Sequence, residues 1–297
     1  MTATVYDAKK RSRKMKTDVA IIGAGPAGLS AAINLKILNV DATVLSPQDG
    51  SDKVAAAPKI LNYLGKKNIT GKRLNDDFLN HAQSLGVKIT KAKVNGVYPA
   101  GKEFFVDAGE FSLTAKCVIL ACGLPSTAKI KNEDLFLGRG VSYCATCDGP
   151  LFKGKHACAI VYDKSESHEL KYLSEVCGKL TVLPVAKTDL PAADNVNAVN
   201  LLPKEFVGEK KATQLVCDKG VIEADIFFVL KSLSADRLVA GLTTKNGSVV
   251  VDRNCTTEIK GVFAAGDVTG KPYKYQKAAG EGLVAAFAAY DFLKNQE

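Results

Sequence analysis

Cys144 and Cys147 stand with two residues between them, followed at once by Asp148 and Gly149. Two thiols at that spacing can close a small disulfide that opens and re-forms reversibly. Metal sites use the same spacing but normally need a second ligand pair, and structural or incidental pairings are also common. No second Cys-x-x-Cys accompanies it in the sequence, which argues against a metal site. Redox chemistry, metal binding and plain structural thiols remain the three readings of the motif alone.

A second constellation lies near the N-terminus. Residues 18–22, Asp-Val-Ala-Ile-Ile, read as a short buried strand running into Gly23-Ala24-Gly25-Pro26-Ala27-Gly28, and residues 29–38 read as a helix. Together they form a dinucleotide fingerprint. Gly23 permits the tight turn, Gly25 lets backbone approach a pyrophosphate, Gly28 allows close helix packing, and the helix N-terminus receives the phosphates. The next strand, 42–45, ends at Ser46, where the fingerprint expects a carboxylate for a ribose hydroxyl. A serine offers only an uncharged hydrogen bond there, and Asp49 or Asp52 are nearby substitutes.

The remaining elements are those that must hold these residues in place. Residues 61–71 are loop-rich, 74–85 have helical spacing stopped by Gly86, and 87–89 resume a strand. Alternation from about 91 to 113 suggests an antiparallel meander, and 116–123 reads as a buried strand ending at Gly123, where the chain leaves its first domain. It returns through a strand at 248–252, a strand and turn at 261–268 and a helix at 277–293.

At 297 residues the chain can bury a sizeable core and fits two domains. Eight cysteines form no dense disulfide framework, which suits a reducing cytoplasm. No apolar run approaches the roughly 18 residues of a membrane span, and the N-terminus lacks the apolar core of a secretory signal. A cytoplasmic protein without membrane contact is therefore expected. The net charge of +9 is unevenly placed. Residues 1–16 hold six cations against Asp7, and residues 53–93 hold nine against Asp76 and Asp77. The first block reads as a solvated arm without the aromatic interleaving of a nucleic-acid binder. The second is either solvated surface or a fixed electropositive face.

Three stretches carry a family resemblance: Gly23 to Leu29, Gly138-Arg139-Gly140-Val141-Ser142-Tyr143-Cys144-Ala145-Thr146-Cys147-Asp148-Gly149, and Gly261-Val262-Phe263-Ala264-Ala265-Gly266-Asp267-Val268. The chain resembles the low-molecular-weight thioredoxin reductases over nearly its whole length. That resemblance implies an α/β fold with a Rossmann-like FAD domain and an inserted redox domain, domain rotation, and a homodimer. It implies that Cys144 attacks thioredoxin, Cys147 faces the flavin and Asp148 is the acid. It also implies FAD contacts from Gly23, Gly25, Pro26, Ala27, Gly28, Ser46, Asn62, Gly123, Gly266, Asp267, Lys274 and Tyr275, with Asp267 on the ribityl chain. Tyr273 and Tyr275 either cover the flavin or simply pack. The expected division is 1–116 and 245–297 for the FAD domain and 117–244 for the redox domain.

One region departs from the family pattern. NADPH-using members place Gly-Gly-Gly-Asp-Ser-Ala after a strand where this chain has Val161-Tyr162-Asp163-Lys164-Ser165-Glu166. Side chains replace the bare backbone that approaches pyrophosphate, and Asp163 repels it. The family's His-Arg-Arg for the 2′-phosphate corresponds to Pro184-Val185-Ala186. Either pyridine nucleotide still binds weakly through Lys164 or Lys187, or the domain is a degenerate NADPH domain, as in the ferredoxin-dependent flavin thioredoxin reductases. The expectation is reduced ferredoxin as donor, with an NAD(P)H-dependent reductase or a non-enzymatic flavin-binding sensor as alternatives.

Overall fold

The computed structural model describes residues 15–124, 129–162, 167–231 and 234–296. The basic arm at 1–14 and the segment 163–166 fall outside it; Lys16, the last residue assigned to the arm, is already in a strand. The chain folds into two compact units, one formed by residues 1–124 with 234–297 and the other by 125–233.

In the first unit β1 (Met15–Ile22) enters α1 (Pro26–Ile37) through the glycine turn. The helix begins three residues before the sequence spacing suggested, because Pro26 sits in its first turn, where its missing N–H costs nothing. Asn39, in the left-handed region, ends it. There follow β2 (Ala42–Ser46), the short α2 (Asp52–Ala55), α3 (Gly71–Ser84) and β3 (Ile89–Lys91). Thr70 caps α3, its hydroxyl accepting the Arg73 N–H at 3.3 Å, so this helix also starts earlier than its apolar spacing. The meander consists of β4 (Gly96–Ala100) and β5 (Glu103–Asp107), antiparallel to each other and leading into β6 (Leu113–Leu120).

Strand β6 pairs in parallel with β1 from Met15↔Leu113 to Ile22↔Leu120. A boundary at 116/117 would cut this strand in two, so the first unit continues to residue 124.

The second unit contains α4 (Glu133–Phe136), β7 (Val141–Ser142), α5 (Ala145–Asp148), β8 (His156–Val161), α6 (Ser167–Val176) and β9 (Lys179–Pro184). Then come β10 (Val196–Ala198), β11 (Pro203–Val207), β12 (Gln214–Cys217), β13 (Gly220–Glu223) and β14 (Ile226–Leu230). Its main sheet has the order β10-β9-β8-β14-β7, all parallel, and β11-β12-β13 form a separate antiparallel sheet. Both faces of the parallel sheet are covered, as the unbroken apolar strands require. Cys158, Ile160, Phe227 and Val229 pack toward Phe206 and Leu215 of the antiparallel sheet. Ala157, Ala159, Val161 and Phe228 pack on the other side with Leu170 and Leu173 of α6 and with Ala145 of α5.

The chain returns through α7 (Ala235–Leu238), β15 (Thr244–Lys245), β16 (Ser248–Val249), β17 (Val262–Ala264) and α8 (Tyr275–Lys294). Val239 bridges Val97, which places this segment in the first unit from residue 234 rather than 245. The strand expected at 248–252 shrinks to two residues paired with β15. Strand β17 joins β6, completing a seven-stranded sheet. No helix among the described residues is long and apolar enough to cross a membrane.

Helices α1 and α8 pack through small residues, Ala31 and Ala32 in one and Ala285, Ala286 and Ala289 in the other. Their approach is limited by backbone: a Cβ on Gly282 would sit 2.1 Å from Ala27 O. A Cβ on Gly280, two residues earlier in the same helix, meets nothing within 4 Å. Urea denaturation should therefore separate the two positions. Gly282→Ala is expected to lose about 1–3 kcal/mol by overpacking, and Gly280→Ala to gain about 0.5–1 kcal/mol from the better helix former.

Candidate active site

Strand β7 delivers the chain to Tyr143 and Cys144. Cys144 is extended, at φ −128° and ψ 102°, and caps α5 with its own sulfur, which accepts the Cys147 N–H at 3.2 Å. The two cysteines are joined in a disulfide with Cα atoms 5.3 Å apart, within the ordinary range for such a bond. Cys147 is exposed, while Cys144 and Asp148 are half-buried.

Three polar anchors hold this short turn. Ser142 Oγ accepts the Cys144 N–H at 3.1 Å and donates to Cys144 O at 3.3 Å. Ala145 is fully buried, and its N–H donates at 2.7 Å to Glu169 Oε2, a carboxylate only 2% exposed. The third anchor lies under Tyr143. Its hydroxyl donates to Glu133 Oε1, which also receives the Lys231 ammonium, while Glu133 Oε2 takes the Ile130 N–H at 3.0 Å. Lys231 lies 5.3 Å from the centre of the Tyr143 ring. Glu133 and Lys231 are both buried, so each requires the other.

The same pair occupies the carboxyl edge of the parallel sheet, where open α/β sheets bind ligands. Lys231 follows β14 directly, and Tyr162 follows β8 directly with its N–H on Leu230 O. Tyr162 is half-buried in the apolar cluster, and its hydroxyl is pushed up to about 12 by burial and then by the Glu133 and Cys217 charges.

The residues assigned to FAD all lie in the first unit, most of them where β1, β2, β6 and β17 end. Gly23 has φ +112°, and a Cβ there would lie 2.4 Å from Ala121 O; one on Gly28 would lie 1.9 Å from Gly23 O. Over Gly25 the space is open, the nearest atom to a Cβ being Ser51 Cβ at 3.9 Å. The first turn of α1, with Pro26, Ala27 and Gly28, has no side-chain cap. An open face over Gly25 and uncapped helix N–H groups together fit the pyrophosphate of FAD.

Ser46 is buried at the end of β2, where its hydroxyl donates to Gln48 O at 2.7 Å and accepts the Gln48 N–H at 3.4 Å, leaving it no proton and at most one lone pair for a ribose. Of its two suggested substitutes, Asp49 is paired with Lys91 at 2.9 Å. Gly123 follows β6 with φ +70°, Lys274 and Tyr275 open α8, and Asn62 lies on the exposed loop before α3.

Asp267 follows Gly266, whose φ is +89°. Burial raises the Asp267 carboxyl above the usual range, opposed by the Lys53 and Lys277 charges and assisted by Glu281. Sequence reasoning missed the network that fixes this corner. Glu281 Oε2 accepts the Gly266 N–H and the Thr269 hydroxyl, each at 2.8 Å, and Lys277 Nζ at 3.0 Å. Lys277 also reaches Gly266 O at 3.0 Å and Gly270 O at 2.9 Å. The signal was an i,i+4 Lys/Glu pair inside an otherwise apolar helix.

The other six cysteines are unpaired. Burial pushes Cys117 and Cys255 up to about 12 and Cys122 to about 11, and it raises Cys158, Cys177 and Cys217 as well. Held as thiols, they are poor nucleophiles.

A glycine-cradled dinucleotide site in one unit and a two-cysteine disulfide in the other define a flavin disulfide oxidoreductase. The family model described as pyridine nucleotide-disulphide oxidoreductase matches residues 17–162 and 192–282, and the chain belongs to that family. Thioredoxin reductase of Bacillus subtilis is 28% identical over 93% of this chain and 95% of its own length. That of Listeria innocua is 30% identical over 93% of this chain and 94% of its own. Two structures of a ferredoxin-flavin thioredoxin reductase from Clostridium acetobutylicum also align. One is 39% identical with TM-score 0.89, covering 95% of this chain and 98% of that one. The other is 42% identical with TM-score 0.86, covering 94% and 99%.

The buried pair makes a stability prediction that needs no cofactor assay. Lys231→Met alone strands the Glu133 charge and should cost about 3–5 kcal/mol in chemical denaturation. Adding Glu133→Gln, whose amide oxygen can take the Ile130 N–H while its NH2 donates to the Tyr143 hydroxyl, should recover most of that loss.

Proposed function

We propose that this protein is a flavin-dependent thioredoxin reductase in which reduced ferredoxin supplies the electrons and Cys144 and Cys147 pass them to thioredoxin. One observation carries the choice of donor: the sheet edge of the second unit, where a pyridine nucleotide would lie, is filled by Tyr162 and the buried Glu133–Lys231 pair. The family model's match is interrupted over 163–191, the stretch in which the sequence lacks phosphate-binding residues. The alignment with the Clostridium acetobutylicum enzyme over nearly the whole chain supports the same donor.

Two reduced ferredoxins give one electron each, and FAD, when bound, accepts single electrons and delivers them as a pair. With two protons that pair opens the Cys144–Cys147 bond to two thiols. Cys144 then attacks the thioredoxin disulfide as a thiolate, forming a mixed disulfide and releasing one thioredoxin thiolate, which is protonated. Cys147 attacks Cys144 in turn, re-forming the original bond and releasing the second thiolate. Asp148, next to Cys147, is the acid in this scheme. The peptide N–H of Cys147, aimed at Cys144 Sγ, stabilises the thiolate as it forms. The chain is taken to act as a homodimer in the cytoplasm.

Anaerobic mixing with NADPH, NADH and reduced ferredoxin in parallel tests the donor. Ferredoxin should bleach the flavin and lead on to thioredoxin reduction. Rapid bleaching by either nicotinamide at micromolar concentration would restore the pyridine-nucleotide mechanism, and bleaching without thioredoxin reduction would point to a sensor or another disulfide substrate.

The cysteine roles are tested separately. Cys144→Ser and Cys147→Ser should each abolish turnover, and Cys147→Ser should trap thioredoxin on Cys144. Trapping through Cys144→Ser alone would reverse the two roles.

A further inference from the structure

The loop between α2 and α3 is closed at its base by mutual hydrogen bonds between Ile60 and Ile69, at 2.8 and 3.1 Å. Its inner side is core. Ile60 packs with Val54 and Leu74, and the Tyr63 ring meets Phe78 at a tilt of 58° with ring centres 5.7 Å apart. Its outer side is not: Leu61 is 68% exposed and Leu64 87% exposed. Two leucines presented to water on one ordered loop form a small apolar surface that a partner can cover.

The charges next to these leucines in the sequence are of one sign. Lys59, Lys66, Lys67, Lys72 and Arg73 fall between residues 58 and 75 with no carboxylate among them. Asp77 neutralises part of this, meeting Lys66 at 2.8 Å and Arg73 at 3.7 Å. Lys59, Lys67 and Lys72 are exposed. Lys72 and Arg73 also stand in the first turn of α3, which holds no acidic residue. The helix dipole favours anions at that end, so cations there work against stability, and an anionic partner would relieve them.

The loop is fastened to the flavin side of the unit. With its side-chain amide oriented to satisfy both bonds, Gln276 donates to Asn62 O at 2.9 Å and accepts the Leu64 N–H. Tyr275, the preceding residue, packs on the same cluster as Ile60 and Tyr63. Lys274 and Tyr275 are positions assigned to the flavin, so a protein resting on this loop sits beside the place where electrons must enter.

We propose that Leu61 and Leu64, with the exposed Lys59, Lys67 and Lys72 close to them in the sequence, form the docking surface for the acidic one-electron donor protein. This rests on the reading that such a carrier, rather than a pyridine nucleotide, reduces the flavin. The leucines supply an apolar centre and the lysines a cationic rim that steers encounter.

Leu64→Glu and, separately, Lys67→Glu are made in the full-length FAD-loaded protein, both side chains being exposed enough to leave the fold intact. Two readouts follow: the rate of flavin bleaching by reduced ferredoxin, and binding of oxidised ferredoxin by calorimetry. Leu64→Glu should slow bleaching by about tenfold or more and weaken binding to match. Lys67→Glu should slow association severalfold and flatten its dependence on salt between about 0.05 and 0.3 M. Bleaching by dithionite and the subsequent reduction of thioredoxin should be unchanged in both.

If ferredoxin bleaches the wild type and both variants equally, the docking surface is wrong while the donor stands. Failure of ferredoxin to bleach the wild type, with NADPH succeeding, removes both. Conversion of a dimer to a monomer by Leu64→Glu at an unchanged ferredoxin rate would give the leucines to a second copy of the chain and overturn the proposal.

Discussion

A backbone amide buried away from water must have an acceptor, and the redox turn obeys that constraint at its first helical residue. Ala145 is packed against the sheet, so its N–H cannot reach solvent, and Glu169 of α6 supplies the oxygen. The carboxylate brings a second cost, since it too is buried, and it is held in place because α6 packs on the same face of the sheet. The disulfide is thus placed by long-range elements rather than by its own four-residue helix, which is too short to be stable alone. Tyr143 repeats the arrangement on the other side, through a buried carboxylate that is itself tied to Lys231.

In the first unit the governing contacts are of backbone on backbone. Gly23, Gly28 and Gly282 each stand where a single carbon would strike a carbonyl oxygen. Those approaches bring α1 and α8 together and leave the space over Gly25 open. The Lys277–Glu281 pair, partly buried between Gly266 and Gly270, then fixes the corner from which Asp267 projects. Packing and ligand cradle are therefore the same set of contacts, and the fingerprint glycines serve both.

Much of this was legible in the sequence. The strand, glycine turn and helix at 18–38 carry a local period and local punctuation, and the disulfide needs only a spacing of three. The helices start at Pro26 and Gly71, upstream of their apolar spacing, because caps and prolines, not apolar residues, set them. The carboxylates that anchor the redox turn were not legible. Glu169 lies 24 residues from Ala145, and Lys231 lies 98 residues from Glu133. Each reads locally as one more surface charge, and only the parallel sheet, whose neighbours come from distant segments, brings them inside. The unit boundaries were displaced for a related reason, since β6 belongs with β1, nearly a hundred residues earlier in the chain.

The six remaining thiols give the molecule a form of insulation. A protein that repeatedly opens a disulfide risks having the freed sulfurs captured by the wrong neighbour, and exchange proceeds only through a thiolate. Burial keeps all six protonated at neutral pH, including half-buried Cys122. The traffic of electron pairs is thereby confined to one route, and a thiol-reactive label should enter the reduced enzyme first at the redox pair without any cysteine being engineered away.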